Sequence, residues 1–232
     1  FDPLKPSFAE TDVSDKPAWF AAEYPLPGAA DAVALQRGFR HRIEALRSLD
    51  DLVGRLRSHL EAIGAWADTV VVFTSDNGWF HGEHRAWGKV LAYEESIRVP
   101  LLLRGPGIPA GQTSSAMVLN NDLAPTLAAF ADAAPDAVFD GRDLGPLFSG
   151  PAPADWRRRL LAEHFRDGDW APVSFADYFA VRTSADDVRA TRNRTYIDWR
   201  FDGQARGVAH HALDADPFQI DSLPATRPIA TR

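Results

Sequence analysis

The side chains best equipped for chemistry crowd into one stretch of this chain. Between Asp76 and Arg98 fall Asp76, Asn77, His81, Glu83, His84, Arg85, Lys89, Glu94, Glu95 and Arg98, punctuated by Gly78, Gly82 and Gly88. A carboxylate beside a carboxamide, at Asp76 and Asn77, offers hard oxygen donors suited to Ca2+ or Mg2+. A histidine and a lysine further along the stretch could meet an anion held by such an ion. Lysine supplies a compact positive charge where negative charge gathers on a leaving oxygen. The same Asp-Asn-Gly triplet also makes an efficient turn with no ligand at all. Spacing alone leaves both readings open.

Flanking elements must hold these residues, and the hydropathy pattern indicates which. Leu35, Phe39, Ile43, Leu46, Leu49, Val53, Leu56, Leu60 and Ile63 recur every three or four residues. That spacing predicts an amphipathic helix roughly 40 Å long at ~1.5 Å per residue. Arg40, Arg42, Glu44, Arg47, Asp50, Arg55 and Arg57 form its polar face, and Gly64 is expected to stop it. Val70-Val71-Val72-Phe73-Thr74 is apolar and does not alternate, as in a strand covered on both faces. It would deliver Asp76 and Asn77 at its carboxyl end, where α/β sheets place their ligands.

A second such strand spans Val99 to Leu103. Asn121-Asp122 opens a helix from Leu123 to Ala131, with Pro125 tolerated in its first turn, and Gly141 to Gly150 reads as a loop. Leu160 to Phe165 is expected as a last strand of the same sheet. Tyr178–Arg182, Tyr196–Trp199 and Val208–Leu213 read as short antiparallel strands, followed by a turn at Asp214-Ala215-Asp216-Pro217. Prolines through residues 1–30 predict an extended opening stretch, and the tail from Pro224 is expected to be loose.

Composition narrows the function classes. The 232 residues, 45% of them hydrophobic, suit one large domain or one and a half. With 25 basic against 32 acidic side chains the formal charge is −7, which argues against a partner bound through nucleic-acid phosphates. The chain has no cysteine, so disulfides and thiolate metal sites are excluded. No apolar run approaches the ~18–20 residues of a membrane span. The opening residues lack the basic-then-apolar layout of a signal peptide.

The run Val71-Val72-Phe73-Thr74-Ser75-Asp76-Asn77-Gly78, then Gly82-Glu83-His84, Gly88-Lys89, Tyr93-Glu94 and Arg98-Val99-Pro100 through Gly105-Pro106-Gly107 resembles the sulfatases. These are calcium-dependent sulfate-ester hydrolases of the alkaline-phosphatase superfamily. The likeness extends to Ser14-Asp15-Lys16-Pro17-Ala18-Trp19, to Asn121-Asp122-Leu123-Ala124-Pro125-Thr126, and to the segment from Asp214 to Leu223. It lies nearest the glycosaminoglycan and N-acetylglucosamine-6-sulfate branch.

The resemblance implies an α/β fold: part of an alkaline-phosphatase-like sandwich over residues 1–165, its sheet mixed and mostly parallel and flanked by helices. A small antiparallel subdomain and tail would follow over 166–232. The resemblance also implies that Asp76 and Asn77 are metal ligands, for Ca2+ ahead of Mg2+. Lys89 would contact the sulfate and its bridging oxygen, with His84 near the substrate. Arg85, with Trp79, Phe80 and Trp87, is a candidate wall for a sugar, the alternative being that they pack a loop against the core. His81 lies off the motif and reads as a surface or loop residue. Glu83, Glu94 and Arg98 read as structural, paired with one another or with backbone, and the Thr126 hydroxyl as a local hydrogen-bonding group. The implied substrate is a sulfated carbohydrate or aryl sulfate, in the periplasm or outside the cell. Asn77, where phosphatases and phosphonate hydrolases of the superfamily usually carry histidine, favours sulfate.

One requirement of that family is missing. Its nucleophile is a formylglycine made from cysteine or serine in a Cys/Ser-x-Pro-x-Arg motif. The nearest matches here, Ser149-Gly150-Pro151-Ala152-Pro153 and Ser222-Leu223-Pro224-Ala225-Thr226, lack the arginine. The family's N-terminal metal aspartates and sulfate contacts have no counterpart either. The expectation is therefore the C-terminal half of a sulfatase, inactive alone, with an exposed sheet edge inviting self-association. The competing expectations are a phosphate or phosphonate monoester hydrolase of the same superfamily, and a non-catalytic remnant that acts as a binding module.

Overall fold

The computed structural model describes residues 5–89, 91–133, 138–165, 177–187, 192–201 and 204–224. The apolar stripe is helical: α2 runs over Ala29–Ala62. It stops at Gly64, whose φ of +73° is costly for residues with a Cβ. Before it, the proline-rich opening is interrupted by one helical turn, α1 at Phe20–Glu23. Pro17 accepts its first hydrogen bond, from the Phe20 N–H at 2.8 Å, and Phe20 is wholly buried.

The chain divides into two compact units. The first comprises the described parts of 1–54, 77–99 and 160–232, the second those of 55–76 and 100–159. In the second unit, β1 (Val71–Thr74) pairs with β4 (Leu101–Arg104), Val71 standing opposite Arg104 and Thr74 opposite Leu101. The pair is antiparallel. No parallel sheet is present among the described residues, which corrects the mostly parallel arrangement expected. Parallel neighbours usually need a crossover helix. The chain between β1 and β4 holds instead two-residue strands and the single turn α3 (Glu94–Ile97). Nor is β1 covered on both faces among the described residues: Phe73 is 37% exposed and Leu102 opposite it 59%.

Helix α4 (Leu123–Phe130) follows a 3-10 turn at Asn120–Asp122, as the Asn-Asp start predicted. Its unit centres on Leu144, Leu147 and Trp156, and the predicted loop carries a 3-10 turn at Gly145–Leu147. Asp122 is the unit's polar anchor. Arg157 grips both its oxygens at 2.7 and 2.8 Å, and it accepts the N–H groups of Leu119 and Arg142 at 2.7 Å each.

In the first unit, β2 (Phe80–His81) and β3 (Trp87–Gly88) form a hairpin. A four-stranded sheet follows, ordered β5 (Arg159–His164), β6 (Asp177–Thr183), β7 (Arg194–Phe201), β8 (Gln204–Ala212). β6, β7 and β8 match the expected antiparallel strands, and the pairs β6–β7 and β7–β8 are antiparallel. β5, expected to close the main sheet, instead borders this one. Alternating side chains point inward from β6 and β7, so Tyr178, Ala180, Ile197 and Trp199 pack with Phe20, Tyr24, Phe80 and Tyr93. Burying each large apolar side chain contributes roughly 1.5–3 kcal/mol. Trp199 meets Trp19 and Tyr178 edge-on, with centroids 5.5 and 5.4 Å apart. Burial pushes the Tyr178 hydroxyl up to about 12. The tail beyond Pro224 lies outside the described residues.

Candidate functional site

Strand β1 carries the chain to Asp76, an exposed residue. The Asn120 carboxamide holds the strand end in place, donating to the carbonyls of Ser75 and Asp76 at 3.1 and 3.0 Å. Ser75 Oγ stands 3.4 Å from Asp76 Oδ1. The next residue, Asn77, opens the other unit's segment. Its Oδ1 accepts Lys89 Nζ at 2.7 Å and its Nδ2 donates to the Gly78 carbonyl at 2.8 Å. Gly78 fits a tight place. Its N–H donates to the Ser96 carbonyl at 2.8 Å, and a Cβ there would stand 2.0 Å from the Glu95 carbonyl oxygen. The structure thus joins Asn77 to Lys89 across the hairpin, with the lysine exposed.

His84 and Arg85 lie elsewhere. The His84 ring has no exposed surface. Its Nδ1 is 2.9 Å from Glu10 Oε2, its Nε2 is 3.7 Å from Glu95 Oε2, and it stacks on Tyr93 at 4.1 Å. Burial pushes this imidazole down, but the hydrogen bonds and charges of Glu10 and Glu95 outweigh it, and the net direction is up. The Arg85 guanidinium is occupied by backbone: Nε donates to the Glu10 carbonyl at 2.6 Å and Nη2 to the Thr11 carbonyl at 3.0 Å. Both residues are left-handed, with φ of +51° and +60°. A non-glycine residue held there costs on the order of 1–3 kcal/mol, so neighbours must impose the conformation.

Of the aromatic residues considered for a sugar wall, Phe80 belongs to the core. Trp87 is 49% exposed and lines a hollow of about 590 Å³ with Tyr24, Pro25, Leu26, Pro27 and Arg85. Trp79 lies under the Arg42 guanidinium, 4.4 Å away. His81, read as a surface or loop residue, lies half-buried in β2. Its ring packs against Phe39 and Trp87 at 4.8 and 5.5 Å, and burial pushes its pKa down. Glu83 takes Lys5 at 2.9 Å and the His81 N–H at 2.6 Å. Glu94 takes Arg182 at 2.8 Å, with Arg98 3.8 Å away. The Thr126 hydroxyl does bond locally, to the Asp122 carbonyl at 2.6 Å, and also accepts the distant Leu144 N–H at 2.9 Å.

The fit to a calcium ion is incomplete. Asp76 and Asn77 supply two side chains where Ca2+ takes six to eight oxygens, and the Asn77 oxygen already accepts an ammonium. Among the described residues no group of three or more His, Asp or Glu is placed to hold a metal. These residues alone do not make the site.

Sequence reasoning missed Glu10 and Lys16, a fully enclosed ion pair at 2.6 Å, because nothing in a proline-rich stretch marks a charge as buried. It also missed the partner of Asp122. The run Trp156-Arg157-Arg158-Arg159 offers three arginines without saying which one turns inward.

Residues 6–133 match the family described as Sulfatase, and residues 82–188 match the one described as N-sulphoglucosamine sulphohydrolase, C-terminal. The N-acetylglucosamine-6-O-sulfatase of Bacteroides thetaiotaomicron is 41% identical over 64% of this chain and 27% of its own length. The human N-acetylglucosamine-6-sulfatase is 34% identical over 83% of this chain and 38% of its own. A structure solved in complex with the substrate D-glucosamine-2-N,6-O-disulfate aligns with a TM-score of 0.73 at 32% identity, over 88% of this chain and 40% of that one. The phosphonate monoester hydrolase of Agrobacterium radiobacter aligns at 0.62 and 27% identity, over 75% of this chain and 34% of that one. The chain thus spans well under half the length of each.

Proposed function

Because the chain belongs to the sulfatase family, we propose that it furnishes one wall of a sulfate-ester hydrolase site and does not turn over substrate alone. The observation that carries this is the Lys89–Asn77 contact at 2.7 Å, which places an exposed ammonium beside the residue that follows Asp76. Lys89 binds the sulfate group and stabilises charge on the bridging oxygen as the S–O bond breaks. Asp76 and Asn77 would be two oxygen ligands of a metal, Ca2+ ahead of Mg2+, and by themselves they fall short of the six to eight that Ca2+ takes. His84, enclosed as it is, serves by holding its loop rather than by touching the ester, and Arg85 does likewise through its backbone contacts. The nucleophile is not encoded in these 232 residues, which lack Cys/Ser-x-Pro-x-Arg.

The substrate we favour is a 6-sulfated glucosamine, supported by the likeness to the two N-acetylglucosamine 6-sulfatases. A second reading, phosphonate or phosphate monoester hydrolysis, draws on the likeness to the Agrobacterium enzyme. Asn77, a neutral donor paired with lysine, speaks for sulfate. The purified chain, given Ca2+ and 4-nitrophenyl sulfate or glucosamine 6-sulfate, is expected to show no steady turnover. Sustained sulfate release from it would refute the incompleteness of the site.

A further inference from the structure

The buried charges around His84 form one connected chain. Lys16 Nζ, wholly enclosed, donates to Glu10 Oε1 at 2.6 Å and to the Ile220 carbonyl at 2.9 Å. The other Glu10 oxygen meets His84 Nδ1 at 2.9 Å. Glu95, which Ser7 Oγ contacts at 3.4 Å, faces the opposite edge of the imidazole at 3.7 Å. Tyr93 covers its face, and His211 lies 5.5 Å beyond Tyr93. Asp15 stands 3.6 Å from Lys16. The acidic side chains facing His84 are Glu10 and Glu95, with Lys16 and Asp15 one step behind. His211, pushed down to about 3 by burial, stays neutral.

This network grips the turn between β2 and β3. The His84 N–H donates to the Ser7 carbonyl at 2.7 Å, the Ala9 N–H donates to the Gly82 carbonyl at 2.8 Å, and Phe8 bridges Glu83. With Arg85 bound to the carbonyls of Glu10 and Thr11, residues 7–11 impose the two consecutive left-handed conformations. β3 leaves that turn directly, and Lys89 is the first residue after it.

We infer that Glu10 and His84 are positioning residues: their ion pair fixes the Gly82–Ala86 turn on residues 7–11 and so sets where Lys89 stands beside Asn77. The importance of Lys89 for sulfate rests on the proposed function. The clasp itself does not.

Nuclear magnetic resonance of the 15N-labelled chain tests it without turnover. His84 should titrate above its ordinary value of about 6.5, and the Asn77 side-chain amide and Lys89 backbone amide should shift with the same midpoint. Glu10→Gln should lower that midpoint by about one pH unit or more and displace both reporter signals, and Glu10→Asp should recover part of each change. A lowered midpoint with Lys89 and Asn77 unmoved would overturn the positioning role. An unmoved midpoint in a folded Glu10→Gln chain would overturn the ion pair. Where Glu10→Gln does not fold, the parent titration decides: reporter signals that fail to follow His84 sink the inference. Absence of sulfate hydrolysis, by contrast, would leave the clasp intact.

Discussion

Asp122 and His84 are both enclosed titratable groups, and their effects on stability run in opposite senses with pH. Burial pushes the Asp122 carboxyl up, but Arg157 and the two backbone N–H groups outweigh it, so its folded value lies below the ordinary one. Its contribution is then complete above about pH 3.9 and lost as pH falls through the depressed value. For His84 the folded value is raised, so its contribution is complete below about pH 6.5 and lost as pH rises through that value. Urea midpoints measured against pH should therefore fall on both flanks, and Asp122→Asn should flatten only the acid flank. Arg157→Met leaves the Asp122 carboxylate buried without its cation and should cost about 3 kcal/mol or more in urea unfolding followed by tryptophan fluorescence. At this scale the sequence grouped Asn77 and Lys89 in one short run, and the structure joins them by a hydrogen bond that the motif did not specify. The sequence was silent on the Glu10–His84 and Asp122–Arg157 pairs, whose members lie 74 and 35 residues apart. Periodicity carries no information over such separations.

At the scale of elements, α2 was readable because a stripe every three or four residues is a property of one helix alone. What the stripe packs against was not readable. Leu46, Val53 and Leu56 are 56%, 43% and 53% exposed, an apolar face of the kind that drives association. The isolated chain should self-associate, and Leu46→Glu with Val53→Glu should raise the monomer fraction in sedimentation velocity while helical circular dichroism is unchanged. An unaltered association state would place the contact elsewhere, on the β1–β4 pair for instance. The strands show the same division. Tyr178–Arg182 and Tyr196–Trp199 read as antiparallel strands and fall within β6 and β7, where the structure adds an alternating burial that the contiguous apolar run Tyr178–Val181 does not show. The apolar run of β1 reads equally as a strand covered on both faces or as one whose covering is not in this sheet. Strand direction depends on the connection, and Leu160–His164 joined β6 because apolar character does not specify a neighbour.

Across the whole molecule, the proposed function places one wall of a sulfate-ester site on Lys89 and Asn77, with the clasp behind it and without the nucleophile. Each unit has its own apolar centre and its own buried ion pair. The lysine and carboxamide therefore sit on a supported hairpin rather than a bare loop. The most direct measurement joins this chain to the portion of the Bacteroides thetaiotaomicron N-acetylglucosamine-6-O-sulfatase that precedes the matched segment and follows sulfate release from N-acetylglucosamine 6-sulfate. The account predicts turnover that drops about 100-fold or more on Lys89→Ala. Turnover indifferent to Lys89→Ala, or hydrolysis of phosphonate monoesters in preference to the sulfate, would contradict it.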